Sequence, residues 1–209
     1  MTQSNLYQRI LLLLFSAMLQ TPIVALAGPT HGEDTVIGRN AAGQLVVVAN
    51  SPGPNELPPV SGLLNGWAAD EPGNKTPDTN DLDNDFFSLQ AGAIINLELV
   101  SIDPALRVWS PGFATVLTTP GSSFILGGAE FDTHGTFHID STDPEFDPGR
   151  ALYSATFQVF DSGTTDYGTS APFTLSFTPI PEPATLLLLG TGSLAMLVRA
   201  FRSRQEGRR

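Results

Sequence analysis

The 209-residue chain contains no cysteine. Disulfide staples, thiolate zinc sites and thiol nucleophiles are therefore excluded, and a folded domain must draw its stability from apolar burial, helped at most by a bound ion. Basic residues are also scarce, with 10 Lys and Arg against 21 Asp and Glu, for a net charge of −11. Five of those ten (Arg199, Arg202, Arg204, Arg208 and Arg209) crowd the last positions, so the stretch from Gly28 to Ile180 holds 19 acidic residues against four basic ones, a net charge of −15. A field of that sign argues against nucleic acid as a partner and favours divalent cations, cationic surfaces and solubility. Charged residues are only 15% of the chain, whereas it carries 20 Gly and 17 Pro, a balance that suits a turn-rich β-protein better than a helical bundle.

Both ends read as addresses. Arg9 precedes the apolar run Ile10 to Leu19, and Pro22 leads to Ala25-Leu26-Ala27, where small side chains suit signal peptidase. Residues 1–27 are thus expected to be a signal peptide, cut between Ala27 and Gly28. At the other end, Pro181-Glu182-Pro183 forms an extended hinge that gives a protease access to the backbone. The apolar stretch Ala184 to Val198 follows. As a helix it is about 22 Å long, a marginal span for a hydrocarbon core of about 30 Å. Arg199, Arg202 and Arg204 would stay on the cytoplasmic side and point the preceding domain outward.

This tail resembles the PEP-CTERM sorting domain of Gram-negative bacteria that make extracellular polysaccharide. The resemblance is carried by Pro181-Glu182-Pro183, the short apolar segment with Gly190 and Gly192, and the basic cluster. It implies an exosortase that recognises Pro181, Glu182 and Pro183 and cuts nearby, so these residues serve as a recognition motif in a substrate. It also implies export across the inner membrane, transient anchoring, and delivery to the cell surface or the medium. A simple permanent anchor is the alternative.

Between the ends, residues 28–180 are expected to form one domain. Period-two alternation marks strands at Gln44 to Ala49, Ile95 to Val100, Leu106 to Trp109, Ser123 to Leu126, Glu130 to Ile139, Ala151 to Asp161 and Phe173 to Thr178. Tyr153, Ala155, Phe157 and Val159 share one face, as do Phe173, Leu175 and Phe177. Gly, Pro, Asp and Asn clusters separate the segments, and no amphipathic helix is evident. The fold class is therefore all-β: an antiparallel β-sandwich, Ig-like or jelly-roll.

The segment from Phe131 to Asp140 is the most informative piece of the interior. Read as one strand, it puts Asp132, His134, Thr136, His138 and Asp140 on one side and Phe131, Phe137 and Ile139 on the other. Imidazole and carboxylate are the ligands a cysteine-free zinc or copper site uses. His134 and His138, four apart, lie roughly 13 Å from each other in a regular strand and need a bend at Gly135 to share an ion. The candidate metal set is His31, His134, His138 and Asp140, with a solvated polar face as the alternative reading. The layout of His31, Trp109, Gly135 with Phe137 to Asp140, and Ser170-Ala171-Pro172-Phe173 is similar to a group of PEP-CTERM proteins linked to zinc-responsive regulation. That similarity implies a metal-related role for His31, His134 and His138. Asp81, Asp83 and Asp85 alternate as in a calcium loop, but the EF-hand register fails, with Phe86 at the turn glycine and Gly92 at the bidentate Glu. An irregular calcium site and a solvated acidic loop both remain open.

No Gly-x-Ser-x-Gly elbow, His-Glu-x-x-His pair or phosphate-cradling glycine loop is present. The chain is accordingly expected to be a non-enzymatic binding or structural module of the surface or of extracellular polysaccharide. The rival is a secreted hydrolase of matrix carbohydrate, with Trp67 and Trp109 as candidate glycan platforms or, alternatively, core residues.

Overall fold

The computed structural model describes residues 34–49 and 53–180. The first strands are β1 (Thr35–Arg39), β2 (Leu45–Ala49), β3 (Asn55–Leu57), β4 (Pro59–Val60) and β5 (Gly66–Ala69). They are followed by β6 (Asn74–Lys75), β7 (Ile95–Ile102), β8 (Leu106–Trp109), β9 (Val116–Leu117) and β10 (Ser123–Gly127). The last are β11 (Asp132–Thr133), β12 (Thr136–Asp140), β13 (Tyr153–Asp161) and β14 (Phe173–Pro179). Among the described residues the only helical elements are two short 3-10 turns, Gly62–Leu64 and Pro111–Phe113, and no helix is long and apolar enough to cross a membrane. The described residues are all-β, as their alternation predicts.

The strands form three sheets: β11-β6-β1-β2, β10-β7-β13-β14-β3, and β4-β5-β12-β8-β9. β13 and β12 are the central strands of the two five-stranded sheets. On β13, Tyr153, Ala155, Phe157 and Val159 are each no more than 1% exposed, which is the inward face expected from the sequence. Phe137 of β12 stacks on Phe177 of β14 with ring centroids 4.4 Å apart, and meets Phe157 of β13 edge-on at 6.5 Å. These three rings join Leu99, Leu106, Val108, Ile139 and Tyr153 in one buried apolar cluster, and offset or edge-to-face geometry adds a modest quadrupole term to their burial.

Two expectations are corrected. The pairing is not wholly antiparallel, because β1–β6 and β14–β3 are parallel ladders. Parallel partners need a long crossover, and both pairs join segments far apart in sequence, which local alternation does not register. The segment from Glu130 to Ile139 is not one strand either. It breaks at His134-Gly135, so β11 belongs to the four-stranded sheet and β12 to a five-stranded one. Gly135 sits at the break because the chain passes close to β8 there: a Cβ on it would lie 2.8 Å from the Trp109 carbonyl oxygen. Having changed sheets, the chain buries both sides of β12, and His138 is 3% exposed beside Phe137 at 1% and Ile139 at 0%.

The last strand ends two residues before Pro181. Pro179 pairs with Leu57, the Ile180 N–H donates to the Leu57 carbonyl at 2.9 Å, and the Trp67 indole N–H donates to the Ile180 carbonyl at 2.9 Å. Pro179 therefore closes the ladder with β3, and Ile180 is tied to it by one further backbone hydrogen bond.

Candidate functional site

β6 is two residues long, yet it lies between β1, its parallel partner, and β11, its antiparallel partner. Parallel pairing brings the entry points of two strands together, so Asp34 before β1 and Gly73 before β6 are neighbours, tied by the Thr35 N–H to the Gly73 carbonyl at 2.9 Å. β11 runs the opposite way, and the residue that leaves it, His134, emerges at the same end. Three segments remote in sequence thus converge on one point. Asp34, Glu71 and His134 each present a ligand atom, all within 4.8 Å of one another.

The backbone holds the carboxylates in place. The Gly73 N–H donates to Glu71 Oε2 at 3.0 Å and to Asp34 Oδ1 at 3.2 Å. Asp34 is 1% exposed and has Lys75 Nζ 3.8 Å from its Oδ2. His134 Nε2 lies 3.1 Å from Asp132 Oδ1, while Nδ1 lies 3.2 Å from the Asp70 carbonyl oxygen and 3.6 Å from Glu71 Oε1. Glu71 Oε1 is itself buried and accepts no hydrogen bond. Burial would lower the basicity of His134, but the Asp70 carbonyl and the carboxylates of Glu71, Asp34 and Asp132 outweigh it, and the net shift is upward. Burial, together with Asp34 and Asp70, raises the Glu71 carboxyl against the Gly73 N–H and His134.

Gly73 is part of the construction. A Cβ there would collide with the His134 ring and stand 2.8 Å from Asp34 Oδ1, so the glycine keeps open the gap between imidazole and carboxylate. Beside the cluster runs a groove of about 630 Å³ whose lining includes Ser110, Phe124, Ile125, Asp132 and His134.

The residues singled out from sequence fare differently. His134 joins this cluster; His138 and Asp140 do not. His138 Nε2 faces the Asn65 carbonyl at 3.3 Å, and Asp140 Oδ1 accepts from the Thr142 N–H at 2.9 Å and the Thr142 hydroxyl at 2.6 Å, closing a turn. His31 lies outside the described residues, as do Pro181, Glu182 and Pro183 and the expected signal peptide and apolar C-terminal stretch. In the acidic loop, Asp81 Oδ1 takes the N–H groups of Asp83 and Asn84 at 3.2 and 3.1 Å, and Asp85 Oδ1 takes the Ala41 N–H at 2.9 Å. Asp81 shapes a local turn and Asp85 ties the loop to the residues after β1, and with Asp83 they belong to no grouping of ligand atoms such as the one at His134 among the described residues. Trp67 stacks on Phe146 at 5.7 Å and Trp109 tilts against Phe113 at 5.8 Å, so both rings are engaged within the domain.

His138 supports a pH prediction. Burial is the largest influence and lowers its pKa from the ordinary 6.5, Arg107 acts in the same direction, and the Asn65 carbonyl and Asp140 oppose them without prevailing. Its Nδ1 is buried without a hydrogen-bond partner, so protonation would place a charged N–H where nothing accepts it. The unfolded chain therefore takes up this proton before the folded one does. As pH falls below about 6.5 the folded state loses stability, until the pH passes below the depressed folded pKa. Thermal unfolding from pH 8 to 5 should show this decline in the wild type and a shallower one in His138→Gln. Superimposable profiles would refute the assignment.

Sequence reasoning missed Asp34 and Glu71. The available signal was Glu71-Pro72-Gly73, a carboxylate followed at once by a proline and a glycine. No curated protein and no solved structure matches the chain. Residues 179–205 match the PEP-CTERM protein-sorting motif, so the chain carries the signal of an exosortase substrate, beginning at the last residue of the final strand of its β-domain.

Proposed function

We propose that this protein is a β-sandwich module exported across the inner membrane, held there transiently through its C-terminal segment, and released by an exosortase to act at the cell surface or in the extracellular matrix as a binding or structural element rather than an enzyme. The observation that carries the reading is the sorting motif at residues 179–205, which implies exosortase processing and delivery to the surface. Its join to the domain adds support: Ile180 is hydrogen-bonded through both its N–H and its carbonyl, so the first two residues of the matched segment are held by the folded module. The excess of 19 acidic over four basic residues between Gly28 and Ile180 suits a soluble matrix component that attracts cations. The two five-stranded sheets meeting across Phe137, Phe157 and Phe177 support the sandwich.

The test is fractionation of a host with a working exosortase. Wild-type protein is expected in the surface and medium fractions, shortened near Pro181 by mass spectrometry. A chain with Pro181, Glu182 and Pro183 all replaced by Ala is expected to remain membrane-bound at full length, with release reduced at least about tenfold. Equal release of the two chains would overturn the sorting half of the proposal. Turnover of a matrix glycan by the purified protein would overturn the non-enzymatic half.

A further inference from the structure

We propose that Asp34, Glu71 and His134 form a site for a divalent transition-metal ion of the zinc type, ligated by His134 Nδ1 and one carboxylate oxygen each from Asp34 and Glu71. Asp132 serves as the outer carboxylate that orients the imidazole. The site is independent of the sorting motif and of where the protein is delivered.

The argument begins with the surroundings of one nitrogen. Nδ1 of His134 has the Asp70 carbonyl oxygen at 3.2 Å and Glu71 Oε1 at 3.6 Å, and both are acceptors. Lone pairs are not left facing one another in a half-buried pocket, so a cation belongs between them, either a proton on the ring or a metal ion. Two features favour a metal. Ligand atoms around a tetrahedral ion with bonds of about 2.0–2.1 Å stand roughly 3.3–3.5 Å apart, and Nδ1 and Glu71 Oε1 are already at 3.6 Å. The other ring nitrogen, Nε2, is held by Asp132 Oδ1 at 3.1 Å, the carboxylate–histidine relation that fixes tautomer and ring direction in metal sites and leaves Nδ1 unprotonated toward the ion.

The remaining geometry fits a small bound ion. Glu71 Oε1 is buried without a hydrogen bond, a cost that a metal–oxygen bond removes. Gly73 supplies the room that any side chain would fill, between His134 and Asp34. One nitrogen with two carboxylate oxygens favours zinc or its first-row neighbours over calcium or magnesium, which take oxygen shells. Lys75, 3.8 Å from Asp34 Oδ2, is the competing positive charge, and because it is partly exposed it can swing toward solvent when the ion enters. Three ligands leave a fourth position for water or for a donor from outside. The groove lined by His134 and Asp132 is the route to it. The ion would fasten the entry of β1, the entry of β6 and the exit of β11 at one end of their sheet.

The full chain, purified in detergent and stripped with chelator, would be titrated with zinc chloride by calorimetry, with bound metal counted after dialysis. The expected result is one zinc per chain and a rise in thermal midpoint with added zinc. His134→Gln and Asp34→Asn should each weaken binding at least about tenfold, and Asp132→Asn should weaken it about 10–100-fold through ring orientation. His138→Gln, which alters a histidine away from the site, should bind as the wild type does. Circular dichroism of each variant without metal confirms that it is folded. Should Asp34→Asn fail that check, Gly73→Ser and Asp132→Asn carry the test. No saturable zinc uptake by the wild type below about 100 µM would overturn the proposal. So would uptake undiminished in His134→Gln, or equal affinity for calcium and zinc.

Discussion

The chain with Phe137 replaced by Ala is expected to lose about 3–5 kcal/mol of folding stability, the range for removing a fully buried aromatic ring. Phe137 is 1% exposed on the central strand of one five-stranded sheet, and it touches Phe177 at 4.4 Å and Phe157 at 6.5 Å on the other. Truncation removes the ring's own burial and leaves a cavity that neither sheet can close without shifting its neighbours, since β12 is hydrogen-bonded to β5 on one side and β8 on the other. Urea denaturation would read the loss as a lower midpoint at unchanged slope. Leu63→Ala is the control: its side chain is 85% exposed, and its replacement should change stability by less than about 0.5 kcal/mol. A loss below about 1 kcal/mol for Phe137→Ala would mean that the two sheets do not depend on this aromatic contact.

Gly66→Ala should be as damaging although it adds a single methyl group. Gly66 opens β5 opposite Asp140 of β12, with φ at +136°, a region that L-residues with a side chain rarely occupy. A Cβ there would run into the Ile139 carbonyl and stand 2.9 Å from the Ser141 N–H. Both neighbours are backbone and cannot swing aside, so β5 would have to move away from β12. That movement would stretch the contact between His138 and the Asn65 carbonyl and the Ser141 N–H bond to the same carbonyl at 3.1 Å. A cost of about 3 kcal/mol or more is expected, well beyond the roughly 1 kcal/mol by which Ala exceeds Gly in ordinary backbone. Denaturation should show it directly, and an unchanged midpoint would place the strain elsewhere. Gly43→Ala is a useful comparison: its φ is +80° but no atom lies near the added methyl, so it isolates the backbone cost from the collision.

Much of the fold was legible because strands announce themselves locally. Leu106 to Trp109 is a strand at the bounds its alternation predicts, and the inward face of β13 is the one its sequence marks. Periodicity fails where the chain changes partners. From Phe131 to Asp140 the period-two pattern runs on through Gly135, so nothing in it shows that His134 leaves one sheet and His138 enters another. A shared site for these two histidines therefore looked more plausible in sequence than it is in space. The cluster that does form was hidden for a related reason. Asp34, Glu71 and His134 are brought together by the parallel pairing of β1 with β6, and parallel pairing depends on long-range crossovers that leave no local trace. Asp34 and Glu71 looked like two more acids in an acidic chain. In the acidic loop the spacing of Asp81, Asp83 and Asp85 suggests ligands, and the structure adds that Asp81 Oδ1 also caps a local turn.

The clamp on Ile180 sets a distance as well as an end. Three residues of extended chain cover at most about 11 Å, so Pro183 cannot stand farther than that from a carbonyl fixed by the Trp67 indole. A processing enzyme that reads the motif at residues 179–205 therefore meets, at the motif's first two residues, the folded edge formed by β3 and β14. Such a substrate is measured with a ruler whose zero mark exists only after folding. A misfolded copy offers the same motif without that folded edge, and an enzyme fitted to the edge would have the means to tell the two apart.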